Sequence, residues 1–351
     1  MRPARLTVPA LATSVLLALG TTAATAAPYA PAKAQRVTSS TTAATAVTTA
    51  RLAGANRYAT SVAISKANFA APQEVVVVAS GLNFPDALGA GPFAALVEAP
   101  LLLVPTSGKL PVETAAELDR LKTQTVVVVG GPSSVNADMV RQLEAHTANK
   151  VAYQVDGANR YDTAAQLTEG FSPALTGVPV YLASGTTFPD ALGGGGAASL
   201  SGGFLLLTSP TKLPAETTAA LKRVKPSDVI VLGGPSSISN TVLSQVRTAV
   251  GSRVPVTRIG GSNRFATAAM ASADTLTSAR EVLLTNGMQY PDALSGAATA
   301  PYFGGRPVLL TRAECVPAET LAEIKRLGAT KVTALGGPSV VSDAALRLKA
   351  C

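Results

Sequence analysis

Three blocks of the sequence recur at a nearly constant spacing, and this constrains the fold more than any other feature. GANRY at Gly54 returns as GANRY at Gly157 and GSNRF at Gly261. SGLNFPDAL from Ser80 returns as SGTTFPDAL from Ser184 and NGMQYPDAL from Asn286. VVVVGGPSSV, VIVLGGPSSI and VTALGGPSVV place their prolines at 132, 235 and 338, two steps of 103 residues. Long matched blocks at a nearly constant period mean that one structural unit is built three times.

Inside each unit short apolar runs alternate with helical segments. EVVVVAS, PLLLV and TVVVVGG are continuously apolar and rich in valine or leucine, the pattern of parallel strands buried on both faces. A fourth strand, KVAYQVDG, leads into the next GANRY. Helices start cleanly between them. Pro111 and Glu113 put a proline and an acid at one helix entrance, and Ser133 or Ser134 is placed to cap the helix over VNADMVRQL. The reading is an α/β chain of three tandem, Rossmann-like, doubly wound parallel-sheet modules. Their spans are 47–149, 150–252 and 253–351.

The repeated motifs follow strands, and the carboxyl ends of parallel strands share one edge, where ligands bind. Arg57, Asp86, Gly130, Gly131 and Ser133 are therefore expected at one crevice. Arg160, Asp190, Gly233, Gly234 and Ser236 form its second copy, and Arg264, Asp292, Gly336, Gly337 and Ser339 its third. Asp86 follows Pro85 into a helix's first turn, where a carboxylate is favoured. Arg57 is free either to pair with Asp86 or to meet a ligand. GGPSS resembles an anion-cradling turn but is neither a dinucleotide fingerprint nor a Walker motif. The helix ALGGGGAAS, from Ala191, carries four glycines costing about 1 kcal/mol each, which suits close packing of the module against its own sheet or against its neighbours.

The chemistry available is narrow. The one histidine of the chain is His146, outside the repeated motifs, so it is read as a surface or capping residue. A two-histidine zinc site and three equivalent Ser-His-acid triads are excluded, and no metal or cofactor is expected. One pocket acid per module does not make a carboxylate pair. No catalytic residue is assigned. Three equivalent sites instead suit avid binding to a repetitive polymer. Aromatic residues make up 4% of the chain and tryptophan is absent, which disfavours flat platforms for neutral sugars. Recurrent arginines and a net charge of +8 favour an anionic one.

Residues 1–26 read as a signal peptide: the basic MRPAR, an apolar stretch, and an Ala-x-Ala site ending at Ala26. Residues 27–46 read as an Ala/Thr/Ser/Pro linker. The apolar stretch is short of the roughly 20 residues that span a bilayer, so no transmembrane segment is expected. Export makes nucleic acid an implausible partner for the basic charge, and wall polymers or lipid headgroups plausible ones. The two cysteines, Cys315 and Cys351, are expected to form a structural disulfide in an oxidising compartment.

Taken together, GANRY, NFPDAL, PLLLV and VVVVGGPSSV resemble the cell wall-binding repeat type 2 family of Gram-positive surface proteins. The resemblance covers all three units. It implies three Rossmann-like modules around a pseudo-threefold axis, and non-covalent attachment to anionic wall polysaccharide of the teichoic-acid type. The matching positions are the Arg of each NR(Y/F) and the Asp of each (F/Y)PDAL. Family members often add an enzymatic domain such as an amidase. For this sequence the expectation is attachment at the cell wall or surface, by a monomer with internal symmetry and no chemistry of its own. The third unit departs from the pattern with NGMQY for SGLNF and a cysteine loop at 315.

Overall fold

A computed structural model describes residues 47–171 and 175–351. The expected signal peptide, 1–26, and linker, 27–46, lie outside the described residues. The valine and leucine runs form the strands expected of them. In the first unit these are β2 (Val75–Ser80), β3 (Leu101–Val104) and β4 (Thr125–Val129), followed by β5 (Val151–Val155). All six residues of β2 and all four of β3 are buried, because helices cover both faces of the sheet. The second unit repeats this with β6 (Val180–Ser184), β7 (Phe204–Thr208), β8 (Val229–Leu232) and β9 (Val256–Ile259). The third has β10 (Glu281–Asn286), β11 (Val308–Thr311) and β12 (Lys331–Leu335).

The fourth strand of the third sheet comes from the other end of the chain. β1 (Thr48–Leu52) pairs in parallel with β12, from Thr48 opposite Lys331 to Leu52 opposite Leu335. The three sheets are thus β3-β2-β4-β5, β7-β6-β8-β9 and β11-β10-β12-β1, all parallel. They are offset from the spans 47–149, 150–252 and 253–351. Residues 48–52 complete the third sheet, 151–155 the first and 256–259 the second. A period fixes the length of a unit but not where it starts, which accounts for the offset.

After each fourth strand the chain crosses to the next unit. Helix α1 (Arg57–Asn68) leaves β1 and packs on β3, α6 (Arg160–Gln166) leaves β5 for β7, and α10 (Arg264–Thr275) leaves β9 for β11. Every seam is crossed by continuous chain, and the ring closes through the pairing of β1 with β12. Arg51 supports that closure, donating from Nη1 to Gly336 O at 2.7 Å and pairing through Nη2 with Asp343 at 3.0 Å. The Cys315–Cys351 disulfide forms as expected, spanning 36 residues.

Two short helices, α2 (Phe84–Ala87) and α3 (Ala90–Leu96), follow β2. The equivalent segments are single helices, α7 (Pro189–Leu200) and α11 (Pro291–Ala298). α3, α7 and α11 touch one another pairwise and form the centre of the ring. On the outside lie α4 (Val112–Arg120), α5 (Ala137–Ala145), α8 (Ala215–Val224), α9 (Asn240–Val250), α12 (Ala318–Arg326) and α13 (Asp343–Leu346). One continuous apolar core runs through all three units, from Val75 to Leu310. The glycines of α7 serve both of the uses foreseen for them. A Cβ on Gly193 would lie 2.5 Å from Ala268 Cβ of the next unit, and one on Gly196 would lie 2.9 Å from Val308 there. On Gly194 it would strike Leu232 of the unit's own sheet.

Candidate functional site

Each GANRY motif places an arginine at the first position of α1, α6 or α10. Asn56, Asn159 and Asn263 cap these helices, each side-chain oxygen accepting the amides two and three residues on. A cation there has the wrong sign for the helix dipole. The guanidinium is held by another group: Arg57 Nη1 donates to Gly81 O, Arg160 to Gly185 O at 2.6 Å, and Arg264 to Gly287 O at 2.8 Å. Those glycines directly follow β2, β6 and β10. All three arginines are half-buried, and among the described residues none forms an ion pair with the aspartate of its own unit. Of the two roles open to Arg57, pairing with Asp86 is therefore not the one the structure shows.

The aspartates face the GGPSS turn. Asp86 sits in the first turn of α2, as expected, and its Oδ2 accepts from Ser134 Oγ at 2.6 Å. Asp190 accepts from Ser237 Oγ at 3.1 Å. Gly130, Gly233 and Gly336 have φ of 110°, 101° and 104°, a region glycine enters without penalty. A Cβ on Gly233 would lie 2.4 Å from Asp190 Oδ2, and one on Gly336 2.5 Å from Asp292 Oδ2. The next glycines border open space: a side chain on Gly234 or Gly337 would meet nothing, and one on Gly131 would only reach Asp156.

The turn corrects one sequence expectation. Ser134 N and Val135 N both donate to Gly131 O, closing the turn before the helix starts, and Asn136 caps α5 by accepting from Met139 N at 2.9 Å. Ser133 and Ser134 are therefore not the cap. In the equivalent helices the caps are Ser239 and Ser342. Ser133, Ser236 and Ser339 are exposed beside the crevice, whereas Ser134 and Ser237 reach the aspartates.

The third copy departs from the other two. Val340 stands where Ser134 and Ser237 stand, so Asp292 lacks its serine, and the residue is 8% exposed. Burial pushes its carboxyl up to about 6, against the opposing pull of the Arg57 guanidinium from the first unit. Tyr290 also reaches across that seam, donating its hydroxyl to Gly81 O at 3.0 Å. Asn286, in place of the strand-end serines, donates from Nδ2 to Val340 O at 2.8 Å and so ties the same two loops together.

Two features escaped the sequence reading. Phe84, Phe188 and Tyr290 meet at the ring centre, with ring centroids 5.4, 5.7 and 5.8 Å apart, in the tilted geometries aromatic pairs prefer. Their recurrence before every PDAL was the available signal. The capping asparagines also donate to Glu113, Glu216 and Glu319, at 3.3, 2.9 and 2.8 Å. These bonds come first among the causes that hold the Glu216 and Glu319 carboxyls below the usual range, ahead of their own backbone amides. His146 ends α5 as its C-cap residue and bonds Asp119 at 2.9 Å. Among the described residues no group of His, Cys, Asp and Glu is arranged to hold a metal ion, and no helix is long and apolar enough to cross a membrane.

The profile of the cell wall binding domain 2 (CWB2) family matches this chain three times, over residues 51–140, 154–243 and 258–346. The chain belongs to that family. Its three CWB2 repeats are cell wall-binding modules, and each match begins within or near a fourth strand. Among curated proteins, N-acetylmuramoyl-L-alanine amidase LytC of Bacillus subtilis (strain 168) is 34% identical over 250 residues, 71% of this chain and 48% of that protein. The Amidase enhancer of the same organism is 28% identical over 294 residues, 84% of this chain and 39% of that protein. This chain therefore spans half or less of the length of these relatives. Two solved structures share the fold. Cwp6 from Clostridium difficile has a TM-score of 0.77 at 22% identity, covering 91% of this chain and 50% of that one. Cwp8 from Clostridium difficile has a TM-score of 0.76 at 23% identity, covering 86% and 51%.

Proposed function

We propose that the CWB2 chain is an exported, non-catalytic attachment protein that holds anionic wall polysaccharide of the teichoic-acid type in three strand-end crevices, as a monomer. The observation that carries this reading is the threefold recurrence of a half-buried arginine at a helix N-terminus, fixed on a glycine carbonyl beside an open GGPS turn. A positive helix end and a guanidinium together favour an anion. The crevice ligands are Arg57, Arg160 and Arg264, with Gly131, Gly234, Gly337 and the exposed Ser133, Ser236 and Ser339 at the rim. Asp86, Asp190 and Asp292 order the turn. Each site is weak alone, and three on one rigid ring gain affinity on a repeating chain by avidity.

A second reading, a wall hydrolase or modifier of a wall amidase acting through the strand-end crevice, is favoured by the two curated relatives, an amidase and an amidase enhancer. More than half of each relative lies outside the matched region, so their names do not carry amidase chemistry to this chain.

Sedimentation with purified walls, before and after removal of teichoic-type polymer, tests both readings. Binding is expected to fall at least tenfold on removal. Arg57→Gln, Arg160→Gln and Arg264→Gln together should lower it more than the three single effects suggest. Binding unchanged by polymer removal overturns the anionic ligand. Release of sugar or peptide products that stops on Asp86→Ala overturns the non-catalytic reading.

A further inference from the structure

A pocket of about 480 Å³ lies on one face of the third sheet, where α1 of the first unit covers it incompletely. Ala50 and Leu52 of β1 and Ala67 of α1 supply its apolar wall, and Arg280, Glu281, Lys331 and Arg306 its charges. Its lining is peculiar to this unit. By strand register, Ala50 stands where Tyr153 of the first sheet and Thr257 of the second stand, and Glu281 stands where Val75 and Pro179 stand. Lys331 replaces Thr125 and Asp228, and Arg306 replaces Ala99 and Gly203. Relative to the first unit, one large ring has been removed and three charges introduced.

The charges do not cancel. Glu281 pairs with Lys331 at 3.1 Å and with Arg306 at 3.8 Å, and accepts from Thr333. Arg306 is 4% exposed; its Nη2 donates to Asn68 Oδ1 at 2.6 Å and Thr299 O at 2.8 Å, while its Nε has no hydrogen-bond partner. Arg280 is exposed at the mouth. Three cations thus surround one carboxylate. Phe303, 71% exposed, is the one aromatic ring lying open among the side chains described, and Arg306 Cζ sits 4.7 Å from its centroid. Its φ of 57° is uncommon for a bulky side chain and costs conformational energy. A buried guanidinium with its Nε unsatisfied and an aromatic ring open to solvent are both unfavourable when the pocket is empty, and one kind of molecule can meet both.

We propose that this pocket is a further binding site, distinct from the crevices, for a sugar ring bearing a carboxylate or phosphate. The ring lies on Phe303, and the anionic group meets Arg280 and Lys331 with Arg306 behind it. The site does not depend on the crevices holding polymer.

Methyl NMR of the intact chain, labelled at alanine and titrated with glucuronate, glucose 6-phosphate, glucose or inorganic phosphate, tests this. Ala50 and Ala67 methyls are expected to shift saturably with at least one of the two acidic sugars, and which one identifies the anionic group. Glucose and inorganic phosphate should bind at least tenfold more weakly. Arg280→Glu and Phe303→Ala, both at the surface, should each weaken binding at least tenfold while distant alanine methyls keep their native positions. The triple crevice substitution should leave these shifts intact, so the two sites succeed or fail separately. The proposal is overturned if neither acidic sugar shifts the two methyls, if the shifts survive both pocket substitutions, or if glucose or inorganic phosphate binds as tightly as the acidic sugars.

Discussion

Asp86, Asp190 and Asp292 hold one motif position in different electrostatic settings. The first two each receive a serine hydroxyl, and the third faces Val340. Burial raises Asp292 from an ordinary 3.8 to about 6, so the fold prefers it protonated. That contribution is fully present below about pH 4 and is lost as the pH rises through 6. Two pKa units correspond to roughly 3 kcal/mol. Urea unfolding at pH 4, 5, 6 and 7 should therefore show stability falling across this window. Asp292→Asn should shrink the fall, leaving the smaller part due to the buried Asp274 carboxyl, and be the more stable protein at pH 7. Val340→Ser, by restoring a donor to the charged carboxylate, should flatten the profile. A profile identical in all three proteins would contradict this account of the third site.

At the scale of elements, the strands and the motif-bearing turns were legible because apolar runs and glycine turns declare themselves locally. The partners of the side chains were not. Arg57 had an aspartate and several carbonyls within plausible reach, and sequence gives no way to rank them. The meeting of Phe84, Phe188 and Tyr290 depends on packing between units, which a period does not encode. The crowded glycines of α7 illustrate the same limit, since four identical residues in a row have unequal surroundings. A Cβ on Gly195 would have its nearest neighbour at 3.8 Å, whereas one on Gly193 would lie 2.5 Å from Ala268. Gly195→Ala should stabilise the protein by up to about 1 kcal/mol through helix propensity. Gly193→Ala should destabilise it by about 1–3 kcal/mol through overpacking at the seam. Thermal unfolding of the two variants would show opposite shifts.

At the scale of the whole molecule, the ring is one continuous chain except at a single strand pair. Removing residues through Leu52 should leave β12 with an open edge, which invites pairing with another copy. Size-exclusion chromatography is expected to show association that the longer chain does not. Replacing Cys315 and Cys351 by serine frees the 36-residue loop and should cost about 3–4 kcal/mol in the chain-entropy picture, measurable as a lower urea midpoint with a slope that does not fall, because the unfolded chain becomes less compact.

The pairing of β1 with β12 also decides how the ring responds to mechanical force. If the crevices are fixed to a wall, a pull at Val47 along the strand draws β1 lengthwise past β12. Because the two strands run parallel over five residues, their hydrogen bonds are strained together rather than opened one after another. Arg51, fastened to Gly336 and Asp343 at the far side of the same pair, resists the same slip. The one junction of the ring that the chain does not cross is therefore arranged to be loaded in shear, and the fourth strand that closes the fold is also the grip by which it withstands tension.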